Sequence, residues 1–174
     1  VKMPSFEISK TGSAQGTEKD TGLVMTPKDA VAAYADVLQN GASSQYAQKF
    51  ADDDLRAKLA DLTGQVQKAM ELNEGSQQQV FTPVDGAISV MRSADGGDLV
   101  VARINSEWTR SAGSGRESQP ASDAEKALFG DGRATSTMKT TYVNVIALYV
   151  PPANSGEKIA AVGSERQPVK VEAL

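Results

Sequence analysis

Thr135-Ser136-Thr137-Met138-Lys139-Thr140-Thr141-Tyr142-Val143-Asn144-Val145-Ile146-Ala147-Leu148-Tyr149-Val150 is the stretch that decides the fold. Its β-branched and aromatic residues favour a pleated, half-buried chain. Met138, Thr140, Tyr142, Asn144, Ile146 and Leu148 fall on one face. Thr137, Lys139, Thr141, Val143, Val145 and Ala147 fall on the other, the period of two that a strand requires. Pro151-Pro152 stops the run. A strand of this length needs long neighbours. Upstream, residues 99–110 supply one, with Leu99, Val101 and Arg103 alternating against Val100, Ala102 and Ile104. Ser93-Ala94-Asp95-Gly96-Gly97-Asp98 provides the positive φ of a hairpin turn and joins that strand to another at 87–92. Residues 79–82 form a short strand that Pro83 bends or confines to an edge. Downstream, 159–162 and 169–171 read as a final strand or pair.

Ahead of the strands the period is helical. Thr26 caps a helix, Pro27 suits its first turn, and the Asp29 carboxylate favours the dipole. Val31, Tyr34, Ala35 and Leu38 form one apolar stripe, and Asn40-Gly41 ends it. Ser43 or Ser44 opens a second, short helix carrying Tyr46 and Phe50. Asp52-Asp53-Asp54 precedes a third, striped by Leu55, Leu59, Leu62, Val66 and Ala69. Gly64 weakens its middle by up to ~1 kcal/mol relative to Ala. Residues 111–133 form a long polar connection with one short helix at 122–130, capped by Ser122 and boxed by Glu125. Helices followed by strands argue for α+β, with N-terminal helices on one face of a curved antiparallel sheet. This element order resembles the cystatin-like, nuclear-transport-factor-2-like cone. Residues 1–25 are polar and glycine-rich and read as a flexible linker to a single domain at 26–174. The alternative for that segment is a strand at Phe6 and Ile8, paired with the domain edge.

The 174 residues include no histidine and no cysteine, which removes the commonest metal ligands, triad bases and thiol chemistry. The net charge of −4 comes from scattered residues. Without a basic cluster or stacking aromatics, nucleic acid is not an expected partner. No cofactor and no metal are expected. Asp52-Asp53-Asp54 and Asp95-Gly96-Gly97-Asp98 lack the spaced ligands of a calcium loop and read as a helix cap and a turn. Gly113-Ser114-Gly115 has no helix directly after it and reads as a loop, not a phosphate cradle. Glu107 beside Trp108 invites a carboxyl of raised pKa, with Asp85 or Asp36 as partner acid; strand alternation instead puts the two on opposite faces. Tyr34, Tyr46, Arg103, Glu107, Trp108 and Tyr142 are the candidate lining of a cavity between helices and sheet, and core packing explains the aromatic ones equally well.

Three strings resemble those in uncharacterised extracytoplasmic domains of actinobacterial membrane proteins and lipoproteins. They are Ser93-Ala94-Asp95-Gly96-Gly97-Asp98-Leu99-Val100-Val101, Tyr149-Val150-Pro151-Pro152-Ala153-Asn154-Ser155-Gly156-Glu157-Lys158-Ile159, and Val162-Gly163. The resemblance implies a cell-envelope location. The leading expectation is a non-catalytic interaction or sensing domain, tethered to the membrane only through a removed N-terminal anchor. Its partner is an envelope protein or a small ligand, taken by the exposed sheet face and the 111–133 loop. The alternative is a small-ligand-binding or enzymatic cone (isomerase- or hydrolase-like) with a buried carboxylate in a cavity beside Trp108. A third is a cell-wall glycan hydrolase with paired acids.

Overall fold

The computed structural model describes residues 2–6 and 14–174. Three helices, α1 (Pro27–Asn40), α2 (Asp54–Leu72) and α3 (Asp123–Phe129), accompany a four-stranded antiparallel sheet. Its strands are β1 (Ser76–Arg92), β2 (Asp98–Ser111), β3 (Thr137–Val150) and β4 (Ala160–Ala173), in the order β1-β2-β3-β4. The fold is α+β, a meander in which each strand pairs with its sequence neighbour. β3 covers all but the first two residues of the stretch quoted above.

Several elements differ from their sequence pattern. The pieces at 79–82 and 87–92 are one strand, β1, whose register slips between Pro83 and Ile88. Gly86, at φ 73°, takes a left-handed position inside that bulge. The pieces at 159–162 and 169–171 are likewise one strand, β4, with register shifts opposite Thr141/Tyr142 and Ala147/Leu148. Pro168 is tolerated there because β4 is an edge strand. The short helix expected around Tyr46 is instead two single 3-10 turns, Gly41–Ser43 and Ala47–Lys49. The Ser44 hydroxyl accepts from the Tyr46 N–H and donates to Asp36, local bonds that compete with a continuous helix.

One packing centre lies under α1. Val31, Tyr34, Ala35 and Leu38 are buried with Val100, Ala102, Ile104, Ile146 and Leu148 of β2 and β3. The Thr26 hydroxyl accepts from the Asp29 N–H at 3.2 Å and starts that helix as its sequence requires. The stripe of α2 is buried only at Leu55 and Leu59; Leu62 is 37% exposed and Leu72 85%. The second half of α2 meets the sheet through polar side chains, with Gln77 Nε2 donating to the Thr63 carbonyl at 2.9 Å.

The described part of 1–25 lies against the domain. Gln15 stands opposite Met91, the Gly16 N–H donates to the Val90 carbonyl at 3.0 Å, and the Arg92 N–H donates to the Ala14 carbonyl at 2.8 Å. A Cβ at position 16 would come within 2.5 Å of the Asp20 carboxylate and 2.6 Å of the Val90 side chain, so any larger residue there would have to shift them. Farther on, Leu23 bridges to Pro152. Phe6 is exposed and outside any strand, and Ile8 lies outside the described residues.

Candidate functional site

The strand alternation that builds the core continues beyond the apolar residues and places polar ones on the same face. Along β2, Ser106, Trp108 and Arg110 follow Ile104 inward; along β3, Thr140, Tyr142 and Asn144 do the same. Helix α3 drops Glu125 onto this stripe, where it is fully buried. The Ser122 hydroxyl accepts from the Glu125 N–H at 3.2 Å, as a cap should. The Glu125 carboxylate accepts from the Ala121 N–H at 2.7 Å, from Arg110 Nη2 at 2.5 Å and from the Tyr142 hydroxyl. The Arg110 guanidinium lies 4.5 Å from the centre of the Trp108 ring. Arg166 of β4 completes the stripe. Its Nη1 donates to Ser106 Oγ and Asn144 Oδ1, each at 2.9 Å, and its guanidinium sits 3.7 Å from the centre of the Tyr142 ring.

Burial alone would raise the pKa of Glu125. The bonds from Arg110, Tyr142 and the Ala121 N–H outweigh it, so the carboxyl is held below its ordinary value. Burial first, then the hydrogen bond to Glu125 and its charge, push the Tyr142 hydroxyl up. The carboxylate therefore has no proton to give near neutral pH and no open face to a substrate. It is a closed structural ion pair in which both carboxylate oxygens are bonded, while Arg110 Nε is buried without a partner.

A second buried carboxylate lies at the other end of the molecule. Burial, then the neighbouring Asp20 charge, pushes Asp98 up to about 6. Asp20 itself is drawn down to about 2, chiefly by Arg92, whose Nε and Nη2 donate to it at 2.9 and 3.0 Å. Fixed on Arg92, Asp20 secures the N-terminal segment to β1. Asp98 Oδ2 is buried without a hydrogen-bond partner, while both oxygens of Asp20 are taken by Arg92.

An open groove of about 960 Å³ lies between the end of α1, the face of α2 and the start of β1. Its α2 wall includes the small residues Ala57, Ala60 and Gly64 among larger ones such as Leu59 and Gln67; Gln77, Gln78 and Gln79 of β1 line the other side. Asp53 fixes the near end. It caps α2 by accepting from the Arg56 N–H at 2.9 Å, binds Arg56 Nε at 2.7 Å, and accepts from the Tyr34 hydroxyl at 3.0 Å. Asp53 is thus the cap expected within Asp52-Asp53-Asp54, and it ties the two helices together.

The six candidate residues do not share a cavity. Trp108 and Tyr142 meet in the buried polar stripe, and Trp108 Nε1 donates to Gln77 Oε1 at 2.9 Å. Tyr34 is sealed under α1, and burial is the main reason its hydroxyl pKa is raised. Tyr46 is partly buried beside that core. Arg103 and Glu107 are exposed on the opposite sheet face, Arg103 bonded to Asn105 at 2.9 Å and Glu107 paired with Lys139 at 3.4 Å. The turn Asp95-Gly96-Gly97-Asp98 is held by the Tyr149 hydroxyl, which donates to Asp95 at 2.5 Å. In the sequence Glu125 reads only as part of a capping box, and Arg110 and Arg166 carry no reading. The available sign was polar residues in phase with inward apolar ones: Ser106 and Arg110 after Ile104, and Asn144 before Ile146.

A family model described as a domain of unknown function (DUF8094) matches residues 1–171. No curated protein and no solved structure matches the chain.

Proposed function

The chain belongs to the DUF8094 family of domains of unknown function, and from its geometry we propose a non-catalytic binding domain of the cell envelope that takes its partner in the α1–α2–β1 groove. One observation carries this reading: the space between α1 and the sheet is filled, while an open groove of about 960 Å³ lies between α2 and β1. Where an enzymatic cone needs a cavity lined by a free acid, Glu125 is bonded to Arg110, Tyr142 and the Ala121 N–H. The envelope location and actinobacterial origin are supported by the resemblance of the 93–101 and 149–159 strings. Attachment would run through residues ahead of α1; no helix of the described residues is long and apolar enough to cross a membrane. The partner is an envelope protein.

The test is site-specific photo-crosslinking in the cell envelope. A crosslinker at Ala60, in the groove, is expected to trap a partner; one at Arg103, on the opposite sheet face, is not. Adducts from Arg103 alone would move the interface to the sheet. Turnover of a glycan or ester that Glu125→Gln abolishes would replace the binding reading with the enzymatic one.

A further inference from the structure

We infer that the groove takes an extended, uncharged peptide segment of the partner, which adds to the outer edge of β1 as a fifth strand over residues 76–82. This rests on the groove being the binding site.

The backbone of β1 sets the occupant. The Phe81 N–H leaves the sheet on the side away from β2 and donates to Gln39 Oε1 at 3.0 Å. Alternation then points the N–H and C=O of Gln79 and Gln77 the same way. Among the described residues no strand or bridge pairs with that edge over 76–82. A side chain occupies the bond at Phe81, and the two positions before it open beside the groove.

The other edges are protected. β4 carries Glu165, Lys170 and Glu172, contains Pro168 and breaks register twice, the usual guards against strand addition. The far half of β1 is covered by the chain itself, through the antiparallel pairing of Gln15 with Met91 and the bonds of Ala14 and Gly16. That half already accepts an added extended segment. The bulge between Pro83 and Ile88 turns the strand and ends this cover. Residues 76–82 carry no charge, no proline and no bulge.

The groove wall sets the side chains. No atom stands within 4 Å of where a Cβ on Gly64 would sit, so α2 leaves room for a backbone with small or medium side chains. Asp52 and Asp53 are balanced by Arg56 and Lys158 in the lining, which favours an uncharged segment. Main-chain bonds to Gln77 and Gln79 supply affinity, and alternate side chains against Ala57 and Ala60 supply selection.

The experiment uses the whole chain and a phage-displayed library of linear heptapeptides, followed by binding of the best synthetic heptapeptide. Selection is expected to return uncharged peptides with alternating apolar residues. Saturating peptide should slow amide exchange at Gln77 and Gln79 at least tenfold. N-methylation of alternate peptide residues should weaken binding at least tenfold in one phase only. Gln79→Pro removes an outward N–H and no bond to β2, and should weaken binding at least tenfold; if that variant unfolds, exchange and N-methylation decide. Ala60→Arg separates the two proposals. If Ala60→Arg abolishes binding while exchange at Gln79 and both N-methyl phases are unaffected, the groove stands and strand addition falls. If neither Ala60→Arg nor Gln79→Pro alters binding, both fall. Failure to select any heptapeptide, or dimerisation of the chain through this edge, overturns the peptide occupant.

Discussion

Glu125 and Asp98 are both buried acids, and their surroundings push them in opposite directions. Glu125 is held below its ordinary value, so its stabilisation is present above the unfolded pKa and fades as pH falls through the lowered folded one. Glu125→Gln leaves Arg110 buried without its counter-charge and should cost on the order of 3 kcal/mol at pH 7. Urea unfolding checks this, and the difference from wild type should shrink in acid. Asp98 runs the other way, from 3.8 up to about 6. Between those values the folded state binds the extra proton, so this residue's contribution to stability rises as pH falls from 7 toward 4. Asp98→Asn should therefore stabilise the protein at pH 7 by on the order of 1 kcal/mol, a value discounted for solvent screening. The gain should vanish by pH 4; thermal midpoints at the two pH values test it. Below that, Asp20, drawn down to about 2, loses its hold on Arg92 and the trend reverses.

Among elements, α2 separates what a sequence pattern shows from what packing uses. Leu55, Leu59 and Leu62 look equivalent in a stripe, yet the helix leaves the core after Leu59. Leu59→Ala should cost about 2–4 kcal/mol, whereas Leu62→Gln should change stability by less than about 0.5 kcal/mol; denaturant midpoints distinguish them. Gly64→Ala has open space around its Cβ and should stabilise the helix by about 0.5–1 kcal/mol. Cap residues, turn glycines and the two long central strands were legible in the sequence because local chemistry sets them. The union of 79–82 with 87–92 was not, because Pro83 marks a bend whether the chain resumes the same sheet or leaves it. The partner of Glu125 was hidden for a similar reason. A capping box explains a glutamate at that position completely, and nothing local shows that β2 will bring an arginine beneath it.

At the scale of the molecule, the sheet divides its helix-bearing face between an apolar centre under α1 and a polar one beside α3. Composition foretold the first; the second depends on which inward polar residues meet across β2, β3 and β4. Net charge and the missing histidines narrowed the chemistry without indicating where a partner docks. The groove lies where α2 leaves the apolar core and meets β1 through Gln77 and Gln79 instead, a tertiary event with no signature in the helix's own sequence.

The seating of Ala14–Gly16 on β1 has a mechanical consequence. Load applied from the N-terminal side reaches main-chain bonds at Val90 and Arg92, and the Asp20–Arg92 pair, ahead of the apolar centre. The segment is a peelable strap on a stiffer body. Tension would strip it away first and bare the second half of the β1 edge, leaving the helices and the sheet behind it in place.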